Sequence, residues 1–229
     1  MKTIGLLGGM SWESSIEYER LINTAVRDRL GGTHSADLII RSYNFAMIEA
    51  LQENDDWDTA GRVLASDAVH LQRAGAEAIV ICTNTMHKVA ETVQDAVDIP
   101  LVHIADATAD AVIATGVTRV GVLGTRYTME QDFYVDRLAA RGILPVVPDE
   151  PDRTTIHDVI FEELVRGDIR DESKTEYLGV ISRMIDRGAE GVIAGCTEIE
   201  LLVTGNDVPV PFFPSTAIHA AAAVEFALS

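Results

Sequence analysis

Two spacings of apolar residues alternate along the chain. The opening Thr3-Ile-Gly-Leu-Leu-Gly-Gly9 is an apolar run ending in a glycine turn, which predicts a buried strand leading into a loop. Ser14-Ser-Ile-Glu17 then has the spacing of a helix-start capping box, and Ile16, Leu21, Ile22, Ala25, Val26 and Leu30 keep helical spacing until Gly31-Gly32. The same strand–loop–helix unit recurs. Further strands are predicted at 36–42, 78–82, 101–104, 120–123, 144–147, 191–194 and 209–213. Among the intervening helices is one at 59–74, with Val63, Leu64, Ala68 and Leu71 on one face, and a last one runs over 215–228. Strands alternating with helices predict an α/β fold with mainly parallel sheets covered on both faces.

Three blocks repeat in the same order. Ile4-Gly-Leu-Leu-Gly-Gly9 matches Val120-Gly-Val-Leu-Gly-Thr125, Gly75-Ala-Glu-Ala-Ile-Val-Ile-Cys-Thr83 matches Gly188-Ala-Glu-Gly-Val-Ile-Ala-Gly-Cys196, and Ile99-Pro-Leu-Val matches Val208-Pro-Val-Pro. One such match would carry little weight, because buried strands resemble one another. Three in order predict duplicated α/β halves, 1–115 and 116–229, related by a pseudo-twofold axis with the active site between them. The terminal helix is a candidate to pack back on the first half.

Composition narrows the partners. The formal charge of −18 repels phosphate backbones, which argues against nucleic acid, and acidic surfaces ordinarily serve solubility. The first ten residues are broken by Gly5, Gly8 and Gly9, unlike a signal peptide. No apolar stretch approaches the roughly 20 residues that span a bilayer, so the expectation is a cytoplasmic protein without membrane contact. Two cysteines, Cys82 and Cys196, give neither a disulfide framework nor a zinc set, and no metal is expected. The glycine spacing is not that of a dinucleotide loop, and no phosphate-binding Lys-Ser/Thr loop occurs, so no nucleotide cofactor is indicated. The scattered histidines, His87 included, read as structural.

Ligands of parallel α/β sheets gather beyond the carboxyl ends of the strands. The matched blocks put Thr83 and Cys196 there, together with the loops at Gly8-Gly9-Met10 and Gly124-Thr125. Cys196 precedes a predicted helix start, where the helix dipole would favour a thiolate. A free cysteine is otherwise most often a small buried apolar residue.

Gly8-Gly9-Met10, Cys82-Thr-Asn-Thr-Met-His87, Gly121-Val-Leu-Gly-Thr-Arg-Tyr-Thr-Met-Glu130 and Gly195-Cys-Thr-Glu198 resemble motifs of the aspartate/glutamate/hydantoin racemase superfamily, in its aspartate racemase branch. The resemblance spans nearly the whole chain. It implies a pyridoxal-independent amino-acid racemase, needing no cofactor, in which two residues on opposite faces of the substrate Cα exchange protons. It also implies a small amino-acid substrate and a homodimer. Carried onto this sequence, the catalytic pair is Thr83 and Cys196. Asn84, Thr85, Thr125, Thr197 and Glu198 become contacts to the α-carboxylate and α-ammonium groups, with Met10 and Gln52 as further candidates for the pocket wall. Thr85 and Thr197 have a second reading as helix caps.

The departure from the family pattern is at the first cysteine. There the family has Cys before Asn-Thr, whereas here Thr83 precedes Asn84 and Cys82 lies one place earlier. The repeat pairs Thr83 with Cys196 and Cys82 with Gly195, and a one-residue slip reverses side-chain direction, so Cys82 is expected in the core. The sequence is similar to a subgroup with threonine at this place, which implies a preference for L-amino acids. The resemblance to aspartate racemases also implies an arginine near the end of 41–47 and a lysine two residues before a glycine, to hold the distal carboxylate. Here Ser42-Tyr-Asn-Phe-Ala-Met47 has no base, and Val165 stands before Arg166-Gly167. Aspartate as sole substrate is weakened by this, and glutamate, homoserine or another polar amino acid stays open. Two alternatives remain: an arylmalonate decarboxylase-like or maleate isomerase-like enzyme of the same superfamily, and an amino-acid-binding protein without turnover.

Overall fold

A computed structural model describes residues 1–229. It contains eight strands in two four-stranded, wholly parallel sheets. The first sheet runs β2 (Leu38–Ser42), β1 (Ile4–Gly8), β3 (Ala78–Ile81), β4 (Leu101–Val102). The second runs β6 (Leu144–Val146), β5 (Arg119–Gly124), β7 (Gly191–Gly195), β8 (Phe212–Pro214). In each, the first strand of the half lies at the centre with its successor on one side and the third strand on the other, and helices form the crossovers that parallel pairing requires. The central strands β1, β3 and β7 are buried along their entire length, which is why their sequences are apolar without alternation.

Register makes the internal repeat physical. Ile4 pairs with Ala78 and Val120 with Gly191, so the first two blocks align as the sequence suggested. The third does not. Ile79 pairs with Leu101 and Val192 with Phe212, which makes Phe212, and not Val210, the counterpart of Leu101. The strand expected at 209–213 is therefore confined to Phe212–Pro214. Pro209 and Pro211 have no N–H to offer a ladder, and only the Pro211 carbonyl contributes, accepting the Val192 N–H at 2.9 Å.

By compactness the chain divides into residues 1–104 with 219–229, and residues 105–218. That division is not contiguous, unlike the one expected at Gly116. Ala220, Ala223, Val224 and Ala227 of the last helix, Ser215–Leu228, pack with Ile4, Leu6, Tyr18, Ile22 and Val80 in the first unit. The small alanines let that helix lie close to the sheet. Residues 105–114, which follow the first sheet in sequence, belong to the second unit, where Arg137 grips Asp106 through two 2.8 Å bonds.

The first helix, Trp12–Leu30, begins before the expected capping box. Ser11 is extended and its hydroxyl accepts the Ser14 N–H, so the cap is Ser11 and Ser14 lies in the first turn. Likewise Asp56 caps the helix Trp57–Arg73, two residues ahead of the expected start. No helix is long and apolar enough to cross a membrane.

Candidate active site

β1 ends in a turn that only glycine can make at one position. Gly9 has φ +79°, and a Cβ there would overlap the backbone N and O of Tyr43. The turn brings the Gly9 N–H to Ser15 Oγ at 2.5 Å and buries Met10 in the cluster that holds Tyr43, Ile48 and Met86. Gln52, on the helix Phe45–Glu53, is buried as well, with its amide nitrogen 3.1 Å from the Met86 sulfur. Met10 and Met86 thus belong to one buried cluster, and Gln52 reaches it through the Met86 sulfur.

Beyond β3 the side chains separate by parity. Cys82 is fully buried with Ile4, Tyr18 and Val80, and burial pushes its thiol far above the usual range. Thr83, one residue on, is half-exposed, while Asn84 and Thr85 are buried. Thr85 opens the short 3-10 helix Thr85–Val89 without capping it, since the cap position is Asn84, whose side chain makes no capping bond. Met10, Gln52, Thr83, Asn84 and Thr85 all belong to the first unit.

The second unit repeats the arrangement with other chemistry. Leu7 pairs with Ile81 and Leu123 with Ala194, so Thr83 and Cys196 stand two residues past equivalent points of equivalent strands. Thr125 caps the helix Arg126–Glu130, accepting the Thr128 N–H at 3.4 Å. Cys196 is the half-exposed cap residue of Thr197–Leu202. Thr197 is buried with its hydroxyl 2.8 Å from that of Thr216, and is not a cap.

Cys196 carries the decisive electrostatics. Its Sγ lies 2.7 Å from Glu198 Oε2, and burial, followed by the charge of Glu198 and the bond to it, raises the thiol well above its ordinary value. The expectation of a dipole-stabilised thiolate is thus overturned. Thr197–Leu202 has six residues and carries Glu198 and Glu200 in its first turn, so two carboxylates offset the partial positive charge of the helix end. Cys196 rests as a neutral thiol that donates to a carboxylate.

The surroundings deepen the negative character. Tyr177, buried with its hydroxyl donating to the Ile156 carbonyl at 2.8 Å, is raised by burial and then by Cys196, Glu163 and Glu198. Arg170 reaches Glu163 at 3.1 Å but also holds Asp168. Val165 packs against the same apolar cluster as Cys196, so the place where the branch has lysine is apolar. On the first unit, Arg41 is committed to Asp67 at 3.0 Å and stacks over Tyr43. Two residues of these neighbourhoods escaped sequence reasoning, Glu200, which accepts the Thr216 N–H at 2.9 Å, and Tyr177, while His87 was read only as structural. Only Glu200 had a signal, as the second acid of Glu198-Ile-Glu200.

Comparison with known proteins agrees with this architecture. A family model described as Asp/Glu/hydantoin racemase matches residues 7–223. A provisionally assigned Asp/Glu racemase from Yersinia pestis superposes with a TM-score of 0.94 at 51% identity, covering 100% of both chains. An aspartate racemase homologue from Pyrococcus horikoshii gives 0.88 at 36% identity, again over 100% of both chains. A broad specificity amino-acid racemase of Bacillus subtilis is 23% identical over 74% of this chain and 73% of its own length.

Proposed function

Because the chain belongs to the Asp/Glu/hydantoin racemase family, we propose that it racemises a polar amino acid without pyridoxal phosphate, using Thr83 and Cys196 as the two acid/base residues. The observation that carries this reading is the equivalent position of the two side chains, each half-exposed beyond the carboxyl end of a central strand. Inversion at Cα needs one group to remove a proton and another to deliver one to the opposite face, each within hydrogen-bond reach of the carbon. A duplicated fold supplies two such groups.

The resting protonation assigns the direction of each step. Cys196 holds a proton and can deliver it to a carbanion directly, leaving a thiolate that Glu198 or water reprotonates. In the reverse direction the thiol first passes its proton to Glu198, 2.7 Å away, and the thiolate then takes the α-proton. Thr83 serves the other face: when Cys196 is the base, the Thr83 hydroxyl gives its proton to the carbanion and takes one back from water, and when Cys196 is the acid, Thr83 accepts the α-proton as it passes its own hydroxyl proton to a hydroxide ion from solvent. Its hydroxyl is far less acidic than a thiol, so the two directions run at unequal rates. Asn84, Thr85, Thr125 and Thr197 supply polar groups for the α-carboxylate and α-ammonium, and Met10 and Gln52 form the wall.

Chiral chromatography after incubation with L- and D-aspartate, glutamate and homoserine tests the reading. Formation of the opposite enantiomer from at least one of them, abolished by Cys196→Ala, is the expected result. Turnover of arylmalonates with none of the amino acids would replace it with the decarboxylase assignment. Binding of an amino acid without turnover would replace it with a binding protein.

A further inference from the structure

Thr83 and Cys196 occupy equivalent positions, but their main chains are anchored by different means. The Cys196 carbonyl accepts the Ile199 N–H at 3.2 Å, a bond made within the turn that its own helix supplies. The Thr83 carbonyl is held by a side chain: His87 Nδ1 lies 2.8 Å from it. On its other side, the Thr83 N–H donates to the Ile81 carbonyl at 2.9 Å. Both backbone polar groups of Thr83 are therefore bonded while its side chain stays half-exposed.

The imidazole of His87 has a determinable tautomer. Its Nε2 lies 3.2 Å from the Ile104 N–H, which can only donate, so Nε2 presents a lone pair and the proton is on Nδ1. The Nδ1–H then donates to the Thr83 carbonyl. The ring is buried, with the His103 ring 4.6 Å away and the His219 ring 5.5 Å away. His219 in turn bridges the Tyr18 hydroxyl and the Val102 carbonyl, both at 2.7 Å. The His87 bonds tie Ile104, just past β4, to the end of β3, while His219 ties β4 to the first helix and packs its ring against that of His87, so the ring that holds Thr83 is itself held.

We infer that His87 is the positioning residue for Thr83: its Nδ1–H fixes the Thr83 peptide, and with it the direction of the Thr83 hydroxyl. The role rests on Thr83 being one of the two acid/base groups. It predicts a defect confined to one face of the substrate. If His87 acts through Thr83, its loss weakens inversion but leaves the exchange that Cys196 performs with retention.

The experiment follows both processes by proton NMR and chiral analysis in D2O, using a substrate that the wild type exchanges. His87→Gln can still accept from Ile104 but takes the donor away from Thr83, while His87→Asn keeps an N–H near the Nδ1 position. The expected result is that His87→Gln lowers inversion relative to retentive exchange by about ten- to a hundred-fold, with His87→Asn restoring part of the ratio. An unchanged ratio in a folded His87→Gln protein overturns the inference. Nitrogen-15 NMR of the wild-type imidazole depends neither on turnover nor on whether the variants fold: Nδ1–H is expected, and an Nε2–H tautomer overturns the role. Wild-type protein that exchanges no amino acid defeats the racemase reading, whereas the tautomer still decides the contact.

Discussion

The ends of β3 and β7 are one backbone design carrying two kinds of chemistry. At β3, a threonine has its carbonyl held by the buried His87 ring. At β7, a thiol faces Glu198, with Glu200 adding negative charge. Equal register with unequal surroundings teaches that duplication fixes where a proton-transfer group stands, while residues one to four places further along set what that group can do. Cys196 is held protonated by its neighbours, and Thr83 needs no such help because its hydroxyl is protonated in any case. Its need is orientation, which the His87 ring meets.

The comparison breaks most sharply at the thiol. Cys196→Ala is expected to cut racemisation by more than about a thousand-fold, measured by chiral chromatography, and retention of activity would assign the chemistry elsewhere. Next in size is the stability of the imidazole cluster. Burial lowers the His219 pKa to about 4, below its ordinary 6.5, so the unfolded chain binds the proton more readily than the folded one. The stability this group contributes is intact above the unfolded value and is lost as pH falls from 6.5 towards 4. The loss is about 3 kcal/mol. Chemical denaturation between pH 7 and 4 should show that slope, and His219→Gln should flatten it whatever its starting stability.

Thr83→Ala should lower inversion by about a hundred-fold while leaving deuterium exchange at the Cys196 face. Thr83→Cys should make the rates of the two directions more alike, and a Thr83→Cys protein as lopsided as wild type would place the asymmetry elsewhere. Smallest is Glu198→Gln, which removes the nearest negative charge. The pH at which iodoacetamide alkylates Cys196 should then fall by about one unit, with Cys82 unreactive throughout because it is buried.

Much of this was legible in the chain. The apolar runs marked the central strands, and their order of recurrence gave two parallel α/β halves. Pairing Thr83 with Cys196 from the repeat agrees with the register, because apolar strands buried on both faces leave little freedom to slip. The third block misled because prolines at 209 and 211 gave it the look of its counterpart without the N–H groups of a ladder. The non-contiguous units were legible in part: the terminal helix was a candidate to pack back on the first half, but no pattern in 105–114 shows that it joins the second unit. Least accessible was the state of Cys196. A helix start suggests a thiolate, and burial together with the 2.7 Å approach of Glu198 reverses the sign. His87 looked structural for a related reason: its meaning lies in which carbonyl it meets.

The most direct test of the central claim is loss of the α-proton NMR signal in D2O from each enantiomer of aspartate, glutamate and homoserine, comparing wild type with Cys196→Ala and Thr83→Ala. Exchange by wild type, its disappearance in Cys196→Ala, and exchange with retention in Thr83→Ala are predicted. Exchange that survives in Cys196→Ala, or inversion that survives in Thr83→Ala, would contradict the two-residue account.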